Sequence, residues 1–320
     1  MIHPWLQTNW ENLLACADAD RVPHALLLHG PRGVGKRSLA DAFAAALLCE
    51  DREAGASACG SCQACTLVAA GTHPDLHRVG LEEDRSQVRV DQIRELSRRA
   101  ALTSSRGTYQ LFIVDPADRM NRSAANAFLK TLEEPRAGSV LMLVADTLGN
   151  LPVTILSRCR RLTIALPSRD EARAFLAGKV SEADMDLLLE AAGGSPGLAA
   201  EYVDAGLEGA YRQIRQDLGA AQQGREGPVE IAERWVAENP AQCLDWMASL
   251  LTETSWALAR GQEPPVALTG RWDLVSLTKL LAETYEARRL LETSLRPELL
   301  IEALLIRWVG DPKMTGGSPW

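Results

Sequence analysis

Three groups of residues in this 320-residue chain have types and spacings that can do chemistry. The first is Gly30-Pro31-Arg32-Gly33-Val34-Gly35-Lys36, spaced as in a phosphate-binding loop, where backbone N–H groups and an ammonium cradle phosphate oxygens. The next position ordinarily carries a Ser or Thr hydroxyl that holds Mg²⁺. Here it is Arg37, and Ser38 comes one step late, turned by about 100° round a helix. Such sites also need an acidic pair at the end of a strand. Asp115 can still orient metal-bound water, but Pro116 stands where a glutamate would polarise the attacking water. The candidate nucleotide-binding residues are therefore Gly30, Gly33, Gly35, Lys36, Arg37, Ser38 and Asp115, in a site lacking two catalytic groups. Lys36 and the glycines survive, so weak binding of ATP or ADP without hydrolysis is compatible with the sequence.

The second group is Cys49, Cys59, Cys62 and Cys65, which include two overlapping C-x-x-C steps. Four thiolates close a tetrahedral Zn²⁺ site with no position for water, so the metal would be structural. An iron–sulfur centre also accepts four cysteines, His73 or His77 can replace Cys49, and a C-x-x-C can serve as a redox dithiol. Structural zinc is preferred, because small hydrophilic residues between the ligands suit a compact metal knuckle. The third group is Ser157-Arg158-Cys159, beside Arg160 and Arg161. Without further context, Arg158 reads as a surface arginine.

The elements that must position these groups follow from the apolar pattern. Ala25 to His29 is a short apolar run before the glycine loop, and Ser38 to Leu48 is predicted to be helical. Leu111 to Val114 and Val140 to Val144 are further buried strands, flanking a helix from Asn121 to Leu132 that Pro135 ends. Short continuous apolar strands alternating with helices predict a parallel α/β sheet covered on both faces. Pro167-Ser168-Arg169-Asp170-Glu171 then supplies an N-cap serine and early acidic residues, and a helical region begins. About three short helices are expected up to residue 205, the last introduced by Gly193-Gly194-Ser195-Pro196. About five longer ones should follow from Leu207 to Trp308, with Trp235, Trp246, Trp256, Trp272, Trp308 and Trp320 mostly as core. The tail from Gly310 to Trp320 is expected to be mobile.

Composition excludes several classes. With 46% hydrophobic and 24% charged residues, the chain can order itself around a large core. No run approaches 18 apolar residues and the start, Met1-Ile2-His3-Pro4-Trp5, lacks a signal-peptide layout, so a soluble cytoplasmic protein with no membrane contact is expected. The residues up to Leu166 hold 19 basic and 18 acidic groups, net +1, and the remainder 15 and 24, net −9. Neither balance announces a nucleic-acid binder.

Several motifs together carry a resemblance. They are His24-Ala25-Leu26-Leu27-Leu28-His29-Gly30, the cysteine spacing, His73-Pro74-Asp75, Asn126-Ala127-Phe128-Leu129-Lys130-Thr131-Leu132-Glu133-Glu134-Pro135, and Leu156-Ser157-Arg158-Cys159. The whole chain resembles the clamp-loader branch of the AAA+ ATPases of bacterial DNA polymerase III. The resemblance implies an α/β AAA+ P-loop domain with a parallel sheet over 1–166, carrying a zinc module at about 49–65. A small helical lid over 167–206 and an all-α collar over 207–320 would complete it. It implies a hetero-pentamer with gamma/tau and delta subunits that opens a sliding clamp and places it on primer-template DNA. Arg158 matches an arginine that such proteins insert into the neighbouring subunit's ATP site. Hydrolysing relatives also carry an arginine at the start of the third lid helix, and Gly194-Ser195-Pro196-Gly197-Leu198 has none. A non-hydrolysing assembly subunit is thus expected. Its rivals are a competent ATPase of this branch using Lys36 and Asp115 with Ser38 or Asp118, and a zinc-dependent nucleic-acid binding module with a relict nucleotide fold.

Overall fold

The computed structural model describes residues 2–83, 85–266 and 272–310. Trp320 and the tail beyond residue 310 lie outside them. The chain divides after Glu171 into two compact units.

In the first unit a 3₁₀ turn, Pro4–Leu6, leads into α1 (Gln7–Asp18), β1 (Ala25–His29), α2 (Lys36–Leu48) and α3 (Gln63–Ala69). Then come β2 (Leu76–Val79), α4 (Val90–Ala100), β3 (Gln110–Val114), α5 (Arg122–Glu133), β4 (Ser139–Ala145), α6 (Val153–Leu156) and β5 (Arg160–Thr163). The strands form one sheet in the order β2-β3-β4-β1-β5, with every pairing parallel. Successive side chains of β1 point to opposite faces, as a pleat requires. Leu26 and Leu28 pack with Leu39 and Phe43 of α2, whereas Ala25 and Leu27 pack with Ile93 of α4 and Phe128 of α5. Burial on both faces is why β1, β3 and β4 are apolar apart from the terminal His29, Gln110 and Ser139, and it makes the unit an α/β sandwich of three layers.

This order places the loops that leave β1, β3 and β4 along the carboxyl edge of the sheet, where open parallel sheets bind their ligands. His29 of β1 pairs with Ala145 of β4 and with Thr163 of β5. Gly30, Asp146 and Ile164 are the residues that follow.

Helix boundaries follow local chemistry. Asn121 caps α5 by accepting from Ala124 N at 2.8 Å. Ser168 begins α7 (Arg169–Leu176) with a reciprocal box: its hydroxyl accepts from Glu171 N at 3.3 Å, and its own N–H donates to Glu171 Oε2 at 2.9 Å. α2 starts at Lys36, two residues before the expected Ser38, so Arg37 and Ser38 both lie in its first turn.

The second unit contains α8 (Glu182–Ala191), α9 (Pro196–Asp204), α10 (Glu208–Gln222), α11 (Pro228–Glu238), α12 (Pro240–Ala259), α13 (Leu274–Leu290) and α14 (Pro297–Val309). One apolar cluster runs through these helices, from Leu188 and Tyr202 to Leu304 and Trp308. Trp235, Trp246 and Trp308 are fully buried and Trp272 packs beside Trp308, but Trp256 lies 55% exposed. Asp217, itself buried, joins α10 to α11 by accepting from Trp235 Nε1 at 2.9 Å and pairing with Arg234. No helix among the described residues is long and apolar enough to cross a membrane.

Candidate functional site

The glycine loop leaves β1 through backbone that a side chain could not follow. Gly30 has φ +154°, and a Cβ there would meet the Ile164 carbonyl oxygen at 2.0 Å. Gly33 and Gly35 also have positive φ, 79° and 92°. Trp5 donates from its indole to Val34 O at 2.9 Å, and a Cβ on Gly35 would touch Leu6 and His3. The N-terminal segment therefore packs directly against the loop.

Lys36 is buried, and its three donors are fully engaged by its own chain. They reach Gly30 O at 2.7 Å, Pro31 O at 2.6 Å and Asp146 Oδ1 at 2.7 Å. Arg37 pairs with Asp115, whose hydrogen bond pushes the guanidinium pKa further up. Ser38 is exposed on the same turn. Asp118, buried, accepts from Thr147 N at 3.1 Å and burial raises its pKa, so it pins the loop that follows β4. The loop thus brings Gly30, Gly33, Gly35, Lys36, Arg37 and Asp115 together as the sequence suggests. The anion at its centre is the carboxylate of Asp146, a residue that sequence reading did not single out.

At the far end of α2 the four cysteines gather. Their sulfurs all lie within 4.8 Å of one another, with Cys49–Cys62 and Cys59–Cys65 each at 3.9 Å. Four sulfurs at the vertices of a tetrahedron with Zn–S bonds of about 2.3 Å sit roughly 3.8 Å apart. An iron–sulfur cluster places several atoms between its thiolates and needs a wider cage. The cysteines are free, so no disulfide competes for the sulfurs. Amide hydrogens point at three of them: Cys59 N donates to Cys49 Sγ at 3.3 Å, Cys62 N to Cys59 Sγ at 3.3 Å, and Cys65 N to Cys62 Sγ at 3.4 Å. Donors of this kind stabilise thiolates. With a further amide from Ser61 they hold Cys59 down to about 6, while burial pushes Cys65 up to about 12. His73 and His77 are engaged elsewhere. His73 Nδ1 accepts from Asp75 N at 3.1 Å, and His77 stacks on Phe112 with centroids 5.0 Å apart.

Asp75 of the His73-Pro74-Asp75 motif is buried and binds the backbone N–H groups of Ser105 at 2.6 Å and Arg106 at 3.0 Å. Arg106 then reaches Glu50 at 3.2 Å and Gln63 at 2.5 Å, on either side of the cysteine loop. That motif is a brace for the module.

Arg158 lies just past α6 and is 36% exposed. Its Nη1 donates to Thr154 O at 3.0 Å and Ser157 Oγ at 3.3 Å, and its Nη2 pairs with Glu133 Oε1 at 2.6 Å. Among the described residues these partners come from α5 and from α6 and the turn after it, none from the glycine loop. Cys159 is buried, which pushes its thiol up to about 11, so it is core.

A family described as DNA polymerase III, delta subunit matches residues 6–168. The DNA polymerase III subunit delta' of Pseudomonas aeruginosa is 33% identical over 330 residues, covering 97% of this chain and 98% of that protein. The subunit delta' of Escherichia coli K12 is 32% identical over 253 residues, or 78% of this chain and 75% of its own. Among solved structures, a DNA polymerase III gamma-subunit-related protein of Thermotoga maritima is 18% identical with a TM-score of 0.47, covering 95% of this chain and 99% of that one. An identity of 33% maintained along nearly the full length of both chains assigns the protein: it belongs to the DNA polymerase III delta' family.

Proposed function

We propose that this chain is the delta' subunit of a bacterial replicative clamp loader, a member that does not hydrolyse ATP itself and donates Arg158 to the ATP site of a neighbouring subunit. The observation that carries the first half is Lys36, whose three donors are satisfied by Gly30 O, Pro31 O and Asp146. The hydroxyl and glutamate that would complete a hydrolytic site are replaced by Arg37, which pairs with Asp115, and by Pro116. For the second half, a fixed guanidinium set against a neighbour's γ-phosphate stabilises charge that develops during transfer. Arg158 has the partial exposure and the planar fork for that role.

In this reading 1–166 is the AAA+ domain, 167–206 the lid and 207–320 the collar through which gamma/tau and delta subunits join in a hetero-pentamer. The complex acts on the sliding clamp and primer-template DNA in the cytoplasm. Cys49, Cys59, Cys62 and Cys65 hold a zinc ion, which supplies a closed tetrahedral clasp at the end of α2 and no reaction. The sulfur spacing and the inward amides support that assignment.

The test is reconstitution with and without this chain. Mixtures of the other loader subunits should load clamps onto primed DNA only when it is added, although the purified chain alone turns over no ATP. Equal loading in its absence overturns the proposal.

A further inference from the structure

Glu133, the last residue of α5, has no task in the function just described. Its carboxylate nevertheless makes the one ion pair described for Arg158, Oε1 to Nη2 at 2.6 Å. Arg158 is held at three acceptors on two structural elements: Glu133 on α5, and Thr154 O and Ser157 Oγ at α6. Both supports are anchored. Leu132, beside Glu133, is buried against the sheet, and so is Ile155 of α6. A guanidinium has five N–H donors in a rigid plane, so fixing Nη1 and Nη2 fixes the direction of the Nε edge as well. No described contact involves that Nε, which leaves a donor for a phosphate oxygen. The carboxylate side is 48% exposed and the arginine side 36%, so the pair is solvent-screened and cannot outcompete a bound triphosphate for the guanidinium.

We propose that Glu133 is a positioning residue for Arg158, orienting the guanidinium on the α5/α6 face before it meets the neighbouring subunit's γ-phosphate. This rests on the arginine-finger reading. The carboxylate never touches the nucleotide. It removes rotamer freedom that Arg158 would otherwise lose in the transition state, so it contributes to kcat and leaves ATP binding unchanged.

The test uses complete loader complexes carrying Glu133→Ala, Glu133→Gln, Arg158→Ala, or Glu133→Ala with Arg158→Ala, each checked for assembly by gel filtration. A half-exposed pair of this kind corresponds to about 2- to 5-fold. Glu133→Ala should lower kcat for ATP by that factor at unchanged KM. Glu133→Gln should recover most of the loss, because its amide oxygen still accepts from Nη2. In the Arg158→Ala background, Glu133→Ala should have no further effect. The inference is overturned if Glu133→Ala leaves kcat unchanged, or raises it because the carboxylate sequesters the arginine. It is also overturned if the double variant is slower than Arg158→Ala alone. Failure of the finger reading looks different: there, Arg158→Ala itself hydrolyses ATP at the unmodified rate.

Discussion

Replacing Gly30 with Ala separates what the fold needs from what a nucleotide needs. In a working phosphate loop the first glycine lets the backbone approach phosphate, so if that were its only use here, a methyl group would be tolerated in the absence of nucleotide. Here the Cβ would lie 2.0 Å from Ile164 O, more than 1 Å inside van der Waals contact, on a residue whose φ is +154°. Moving Ile164 aside breaks its N–H bond to His29 O, 2.8 Å long, which extends the pairing of β1 with β5. Backbone strain of this type costs roughly 1–3 kcal/mol and a forced shift in a packed region roughly 1–3 more. Alanine returns about 0.4–1 kcal/mol by restricting the unfolded chain, which leaves a net loss near 3 kcal/mol. Gly55→Ala is the control: its φ is also positive, +73°, but a Cβ there meets nothing within 4 Å. It should cost only about 1 kcal/mol. At roughly 2–4 °C per kcal/mol for a unit of this size, thermal melts without nucleotide should place Gly30→Ala about 4–8 °C below Gly55→Ala. Hydrogen exchange at the Ile164 amide should quicken selectively. Equal melting points for the two variants would refute the reasoning.

Two further outcomes follow from the sites. Purified protein should carry about one zinc per chain by elemental analysis, and Cys62→Ser should release it and raise proteolytic cleavage within residues 49–70 while the strand amides stay protected; absence of metal, or iron in its place, contradicts this. The isolated chain should hydrolyse ATP no faster than its Lys36→Ala variant, and turnover abolished by that substitution would restore the competing ATPase reading.

Much of this was legible in one dimension. β1, β3 and β4 stand out because burial on both faces demands apolar runs, and Ser168 caps the helix it was expected to cap, whereas Asn121, expected as the first helical residue, is the cap of α5. β2 was missed, since Leu76-His77-Arg78-Val79 is a four-residue edge strand, only half-buried, with no run to detect. α4 had a usable signal in Ile93, Leu96 and Ala100, spaced along one helical face. The candidate residues named by a local motif, the four cysteines and the glycine loop, lie together in space. Their partners were not legible. Asp146 reaches Lys36 only because β4 lies beside β1 with Ala145 opposite His29, and Glu133 reaches Arg158 only because α5 ends near α6. Such pairings are set by sheet order and helix packing, and no spacing in the sequence encodes them.

The central claim is that Arg158 works on a neighbour's nucleotide, and the direct measurement is single-turnover ATP hydrolysis by complete loader complexes with and without Arg158→Ala. An arginine finger supplied in trans contributes about 10³ to 10⁵ in rate at its site. The account predicts that hydrolysis at that site is lost and clamp loading falls, in complexes that still assemble with every subunit, while Lys at 158 rescues little because it lacks the fork. Hydrolysis and loading at the unmodified rate would contradict it, and so would failure of the substituted chain to assemble, which would make Arg158 an interface anchor.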